Sequence, residues 1–133
     1  MNVVDTSGWL EYFTDGPNAD LFAPAIEDTA HLVVPVICVY EVFKKVMQTQ
    51  GQAIAEFRIA DLLKGSVVEL TASLAMEAAL LSDGLKLPMA DSLIMATAHA
   101  YQATLWTQDE HFAGLAGVKY VQKNASQRGE ING

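Results

Sequence analysis

The stretch Leu32-Val33-Val34-Pro35-Val36-Ile37-Cys38-Val39-Tyr40-Glu41-Val42-Phe43 changes its period part-way along. Residues 32–34 are a short apolar, β-branched run, the pattern of a strand covered on both faces. From Val36 onward apolar residues fall at 36, 39, 40, 43, 46 and 47, a helical stripe that runs to Gln50 and stops at Gly51. A covered strand feeding straight into a helix is half of a parallel α/β unit. Glu41 lies inside this run, and a carboxylate buried without a partner is costly. It must either turn to water or have something to bind.

The same alternation extends along the chain. Residues 2–4, 32–34, 67–70, 104–106 and 118–121 read as brief strands bounded by turn residues or charges. Helical patterns stand between them, at 9–13, 36–50, 52–64, from a cap at Thr71 or Ser73 to 81, and after Pro88 over 89–103. The segment up to Ala30 reads as a mixture of helix and loop. Strand–helix alternation predicts an α/β domain with right-handed crossovers and a parallel sheet covered on both faces. Residues 1–123 form that one domain, and 124–133 read as a polar, frayed tail.

Composition narrows the function. The chain has 133 residues, 51% apolar and 18% charged, enough for a single hydrophobic core. Its longest apolar run, 32–40, is far too short to span a bilayer. The start MNVVDTSGW lacks the basic flank of a secretory signal, and Cys38 is the one cysteine, so the reading is a cytoplasmic protein without an internal disulfide or a thiolate zinc site. Sixteen acids against eight bases give a net charge of −8, which excludes a general electrostatic grip on nucleic acid. Any work on phosphates needs a local positive charge, and a bound divalent metal supplies one.

Ligands of open parallel sheets bind beyond the carboxyl ends of the strands. Asp5 directly follows the first strand in VVDTSGW, and Asp109 closely follows the fourth in LWTQDEHF. Each is also explained as a turn or helix cap. Asp91 begins the helix LPMADSLIMATA, where an acid suits the helix dipole, yet Ile94, Met95 and Ala98 continue its face toward the sheet. Glu41 is either a solvated acid paired with Lys45 at i+4 or, because the turn before it is apolar all round, a boundary residue. Four converging carboxylates would repel one another. Oxygen donors clustered without cysteine suit Mg²⁺ or Mn²⁺, which cancel that repulsion and activate a water.

These four segments together resemble a PIN domain, and the chain's small size makes a VapC-type toxin endoribonuclease the best match. The carrying residues are Asp5 in VVDTSGWLEYF, Glu41 in VICVYEVFKK, Asp91 in LPMADSLIMATA and Asp109 in LWTQDEHF, and the resemblance runs from Asn2 to about Val121. It implies a central, mostly parallel five-stranded sheet of order 3-2-1-4-5. It also implies that the four acids bind Mg²⁺ or Mn²⁺ and activate water, with Thr6, Ser7 and Thr107 as supporting hydroxyls. VapC-type toxins cut RNA, commonly tRNA or rRNA, form homodimers and are silenced by a VapB-type antitoxin. An antitoxin arginine reaching into the acid pocket would fit the charge.

Other residues receive plainer readings. His31, His99 and His111 are taken as structural, Glu110 as a surface acid, and Lys44, Lys45, Lys64 and Lys86 as solvated surface rather than groove. Met76, Met89 and Met95 are expected to fill the core, as are most of Trp9, Tyr12 and Phe13. The rival readings are a non-catalytic PIN fold that binds RNA or protein, and a receiver-like phosphoacceptor. The latter wants a strand-end lysine beside its acids, and Lys119 lies within its strand.

Overall fold

The structure, a computed structural model, describes residues 1–123; the expected polar tail lies outside them. In chain order the elements are β1 (Asn2–Val4), α1 (Thr6–Phe13), α2 (Ala19–Glu27), β2 (Val33–Pro35), α3 (Val36–Gln50), α4 (Gln52–Leu62), β3 (Ser66–Val68), α5 (Ala72–Leu85), α6 (Met89–Ala100), β4 (Thr104–Thr107) and β5 (Val118–Tyr120). Single 3₁₀ turns stand at Thr29–His31 and Glu110–Phe112. Among the described residues, no helix is long and apolar enough to cross a membrane.

All strand pairs are parallel, but the strands do not form one five-stranded ladder. β1, β4 and β5 make a three-stranded sheet in the order β1-β4-β5, with Val3 opposite Leu105 and Leu105 opposite Val118. β2 and β3 form a separate pair, with Val34 opposite Val67. A single bridge, Asn2 to Leu32, is the backbone pairing between them. The expectation of one continuous sheet is therefore corrected. Beyond that bridge the Val4 carbonyl accepts from the Cys38 thiol at 3.9 Å rather than from a β2 amide. Pro35, the last residue of β2, has no N–H to carry the ladder on.

The core lies between the strands and the helices packed on them. Val3, Val4, Leu32, Val34, Leu105 and Ile94 are essentially inaccessible, with Trp9, Phe22 and Phe112 as the bulkiest buried side chains. Gly8 lets α1 approach closely, because a Cβ there would stand 2.6 Å from Val4 Cγ1. Two helix ends differ from their sequence reading. α5 is capped by Thr71, whose Oγ1 accepts from the Leu74 N–H at 3.1 Å, but it passes through Gly84 and stops at Lys86, which takes a left-handed φ of 58°. α6 ends at Ala100, before Gln102 at φ 50°. Met95 is core, whereas Met76 and Met89 are 65% and 72% exposed, so the expectation that they fill the core is corrected.

Candidate active site

Strand register builds the centre of the site. Val4 lies opposite Trp106, so the residues that follow, Asp5 and Thr107, stand side by side where the sheet ends. Asp5 caps α1 and is 2% exposed. Its Oδ1 accepts from the Ser7 hydroxyl at 2.7 Å and the Gly8 N–H at 3.0 Å, and its Oδ2 accepts from the Thr107 hydroxyl at 2.6 Å. Thr107 Oγ1 in turn accepts from the Asp109 N–H at 2.9 Å, and Ser7 Oγ accepts from the Gln108 N–H at 3.2 Å. Hydroxyls at 7 and 107 thus tie the end of β1 to the end of β4. Burial pushes the Asp5 carboxyl up to about 6 against the opposing pull of these donors, and the Asp109 charge adds to the rise.

Asp91 reaches the same edge from the first turn of α6, and Asp109 from the loop after β4. One carboxylate oxygen of each, with one ring nitrogen of His111, lie within 4.8 Å of one another. His111 Nδ1 is 3.0 Å from Asp91 Oδ2 and 3.0 Å from Asp109 Oδ1. Burial and then the neighbouring Asp109 charge raise the Asp91 carboxyl to about 7, although His111 pulls it down. The Asp109 charge, for its part, holds the His111 imidazole above its usual range.

Glu41 enters from a third element, α3. Its Oε1 accepts from the Thr6 hydroxyl at 2.6 Å, which joins it to the residue after Asp5. No ion pair with Lys45 forms among the described residues. The buried Cys38 thiol on α3 is raised far above the thiol range, by burial first and then by the Asp5, Glu41 and Asp91 charges, so the fields of three acids meet there. Asp5, Asp91 and Asp109 feel one another directly, whereas Glu41 stands one hydroxyl away, outside the tight group around His111.

Two features escaped the sequence reading. His111, taken as a structural histidine, faces the two aspartates with a half-exposed side chain; its two-residue spacing from Asp109 was the available signal. Behind the hydroxyls lies a buried polar cluster. Glu11 accepts from the Asn18 N–H at 2.8 Å and from Gln108 Nε2 at 3.3 Å, and Asn18 Nδ2 donates to Gln108 Oε1 at 3.0 Å. Glu11 lies one helical turn after Ser7, on the face that looks toward the site.

With this geometry in place, the chain can be set beside known families. The PIN domain model covers residues 3–118. The chain belongs to the PIN domain family. Among solved structures its fold is similar to a toxin–antitoxin complex from Klebsiella pneumoniae, with a TM-score of 0.74 and 19% identity over 90% of this chain and 96% of that one. FitAcB from Neisseria gonorrhoeae gives 0.71 and 21% over 92% and 98%. VapC20 from Mycobacterium tuberculosis, a Sarcin-Ricin loop cleaving toxin, gives 0.70 and 15% over 87% and 95%. No curated protein matches the chain.

Proposed function

We propose that this PIN domain is a VapC-type toxin, a metal-dependent endoribonuclease of a type II toxin–antitoxin pair, working in the cytoplasm. The observation that carries the reading is the gathering of Asp91 and Asp109 around one small space beside buried Asp5, where burial first and the neighbouring Asp109 charge second hold the Asp5 and Asp91 carboxyls well above their ordinary range. Ionised carboxylates that are both covered and close together are a cost to folding and an asset to cation binding.

The donors fit a hard divalent cation, since Asp5, Asp91, Asp109 and Glu41 offer carboxylate oxygens and no thiolate. Mg²⁺ or Mn²⁺ held by these acids would supply positive charge to the scissile phosphodiester and a water of lowered pKa for in-line attack. The chain's own part is positioning. Thr107, Ser7 and the Gly8 N–H fix both oxygens of Asp5, and Thr6 fixes Glu41. Asp109 is oriented by its own N–H on Thr107 and by accepting from the His111 N–H. With a net charge of −8, that cation would be the main positive charge at the scissile phosphate itself.

RNA, either tRNA or rRNA, is the substrate of this reading, and a VapB-type antitoxin is its regulator, supported by the toxin–antitoxin complexes whose fold the chain shares. A homodimer is supported by the unpartnered apolar side chains of α5 and its neighbours, Met76, Leu80, Leu85 and Met89. The decisive experiment incubates total RNA with the purified protein, with divalent ion or with chelator, and sequences the new ends. Discrete cuts that need Mg²⁺ or Mn²⁺ and vanish in Asp5→Asn support the enzyme. No cuts under any divalent ion leave a non-catalytic binding module.

A further inference from the structure

The part of α3 that carries Glu41 has a second feature which the proposed metal chemistry leaves unused. Tyr40 is 60% exposed beside it. One turn on, the Lys44 ammonium lies 5.7 Å from the centroid of the Tyr40 ring. Tyr40, Glu41, Lys44, Lys45 and Thr6 line one hollow of about 280 Å³. Thr6 and Glu41 are the same pair joined by the 2.6 Å hydrogen bond, so this hollow opens directly off the acidic edge.

Neither lysine is neutralised by a carboxylate among the described residues, and Lys44 rests against the Tyr40 ring. Lys64 and Lys86 each lie near an aspartate three residues away, but neither Lys44 nor Lys45 has an ion pair among the described residues. That is unusual company for a chain with twice as many acids as bases. A solvated helix face would have set Lys45 against Glu41 at i+4, yet Glu41 takes the Thr6 hydroxyl instead. A 60%-exposed aromatic ring with one ammonium over it and a second, without an ion pair among the described residues, at the rim of the same hollow is the equipment for an unpaired nucleotide. Any base can stack on the ring, and the ammonium groups can meet the flanking phosphates.

We propose that Tyr40, Lys44 and Lys45 form a subsite for an unpaired ribonucleotide adjoining the cleaved phosphate, with Tyr40 stacking the base and the lysines contacting phosphates. The subsite rests on the ribonuclease reading for its ligand, and it answers how so acidic a chain holds RNA near its metal. Single strands are the form of RNA whose bases are free to stack in this way. The three side chains position substrate and take no part in the bond-breaking step.

The test measures anisotropy of a fluorescein-labelled, mixed-sequence single-stranded oligoribonucleotide on the full chain carrying Asp5→Asn, across a salt series. Tyr40→Ala should weaken binding about tenfold, and Tyr40→Phe, which keeps the ring, should restore it. Lys44→Ala with Lys45→Ala should flatten the slope of log affinity against log salt by about 1.4, the value for two phosphate contacts on a single strand. Affinity unchanged in Tyr40→Ala, or a slope unchanged in the lysine pair, overturns the subsite. Cleavage of total RNA by the same variants with native Asp5 separates this from the wider reading. Metal-dependent cuts with Tyr40-independent binding sink the subsite and keep the nuclease. Tyr40-dependent binding without cuts leaves a nucleotide-binding site but sinks the nuclease and with it the neighbouring cleaved phosphate, and a parent chain that binds no RNA sinks both.

Discussion

Two regions of the molecule break the usual burial rules in opposite directions. At the carboxyl edge of β1 and β4, charge goes inside: Asp5 is 2% exposed and Thr107 is fully covered. Around β3 and α5 apolar side chains stay outside: Leu70, Met76, Leu80 and Met89 are 50% to 72% exposed. Each arrangement costs stability in the isolated chain, and each is relieved by a different companion. Covered carboxylates want a cation, whereas open apolar faces want another protein surface. The acidic region is also the more rigidly specified, since hydroxyl donors from two strand ends fix its geometry. The apolar face has no comparable polar constraint.

Removing charge from the first region should have the largest effect. Asp5→Asn keeps the shape of the side chain but takes away one charge from the acidic edge. Cleavage should fall by more than the roughly 10–100-fold expected for losing an outer partner of a metal ligand. A rate assay on a defined RNA checks this, and a fall of only a few-fold would remove Asp5 from the metal set.

Next in size is the response to divalent ion. The unfolded carboxyls ionise near 3.8, but in the fold Asp5 does so near 6 and Asp91 near 7. Between those limits the folded chain holds more protons than the unfolded one, so these groups lower stability as pH rises from about 4 to 7, and it stays lowered above that. A cation that binds the ionised form reverses the penalty, and at a hundred times its Kd it adds about 2.7 kcal/mol. The gain in thermal midpoint with Mg²⁺ or Mn²⁺ should therefore be larger at roughly pH 8 than at roughly pH 5.5. Equal gains at both would mean that the cation binds elsewhere.

Thr107→Val sharpens the role of the hydroxyls. It deletes a donor that favours ionised Asp5, so the carboxyl should rise above about 6 and the acid limb of the activity profile should move to higher pH. A drop of about tenfold near neutral pH is expected. A lower rate with an unmoved limb would leave Thr107 with a packing role alone.

The smallest effect probes the other region. Leu80→Glu puts charge at the centre of the exposed face on α5 and should weaken self-association about tenfold, the equivalent of leaving one leucine side chain unburied. Its thermal midpoint when monomeric should be unchanged, because Leu80 is 69% exposed. Sedimentation at several concentrations reads both chains. A parent that is monomeric throughout would assign the face to a different partner.

Much of the fold was legible because its local signals agree. The stripe from Val36 ended at Gly51, and α3 has those limits. Asp5 and Asp109 were readable as strand-end acids, and Asp91 as the head of a stripe whose Ile94, Met95 and Ala98 are indeed buried. The methionines misled because thioether side chains suit core and partner surface alike. Gly84 looked like a stop signal, yet a glycine inside a helix costs only about 1 kcal/mol, and α5 continued to Leu85.

By itself the amino-acid order determined the alternation of strand and helix, the parallel pairing that follows from it, and which acids stand where elements begin and end. Those properties depend on side-chain period and on turn chemistry, which are local. Tertiary structure alone decided that β2 leaves the β1 ladder after one bridge, that His111 sits between two aspartates, and that Glu11 is locked inward by Asn18 and Gln108. Each of these contacts joins residues through the sheet register and helix packing, and spacing along the chain does not fix the distance between side chains that meet across different elements.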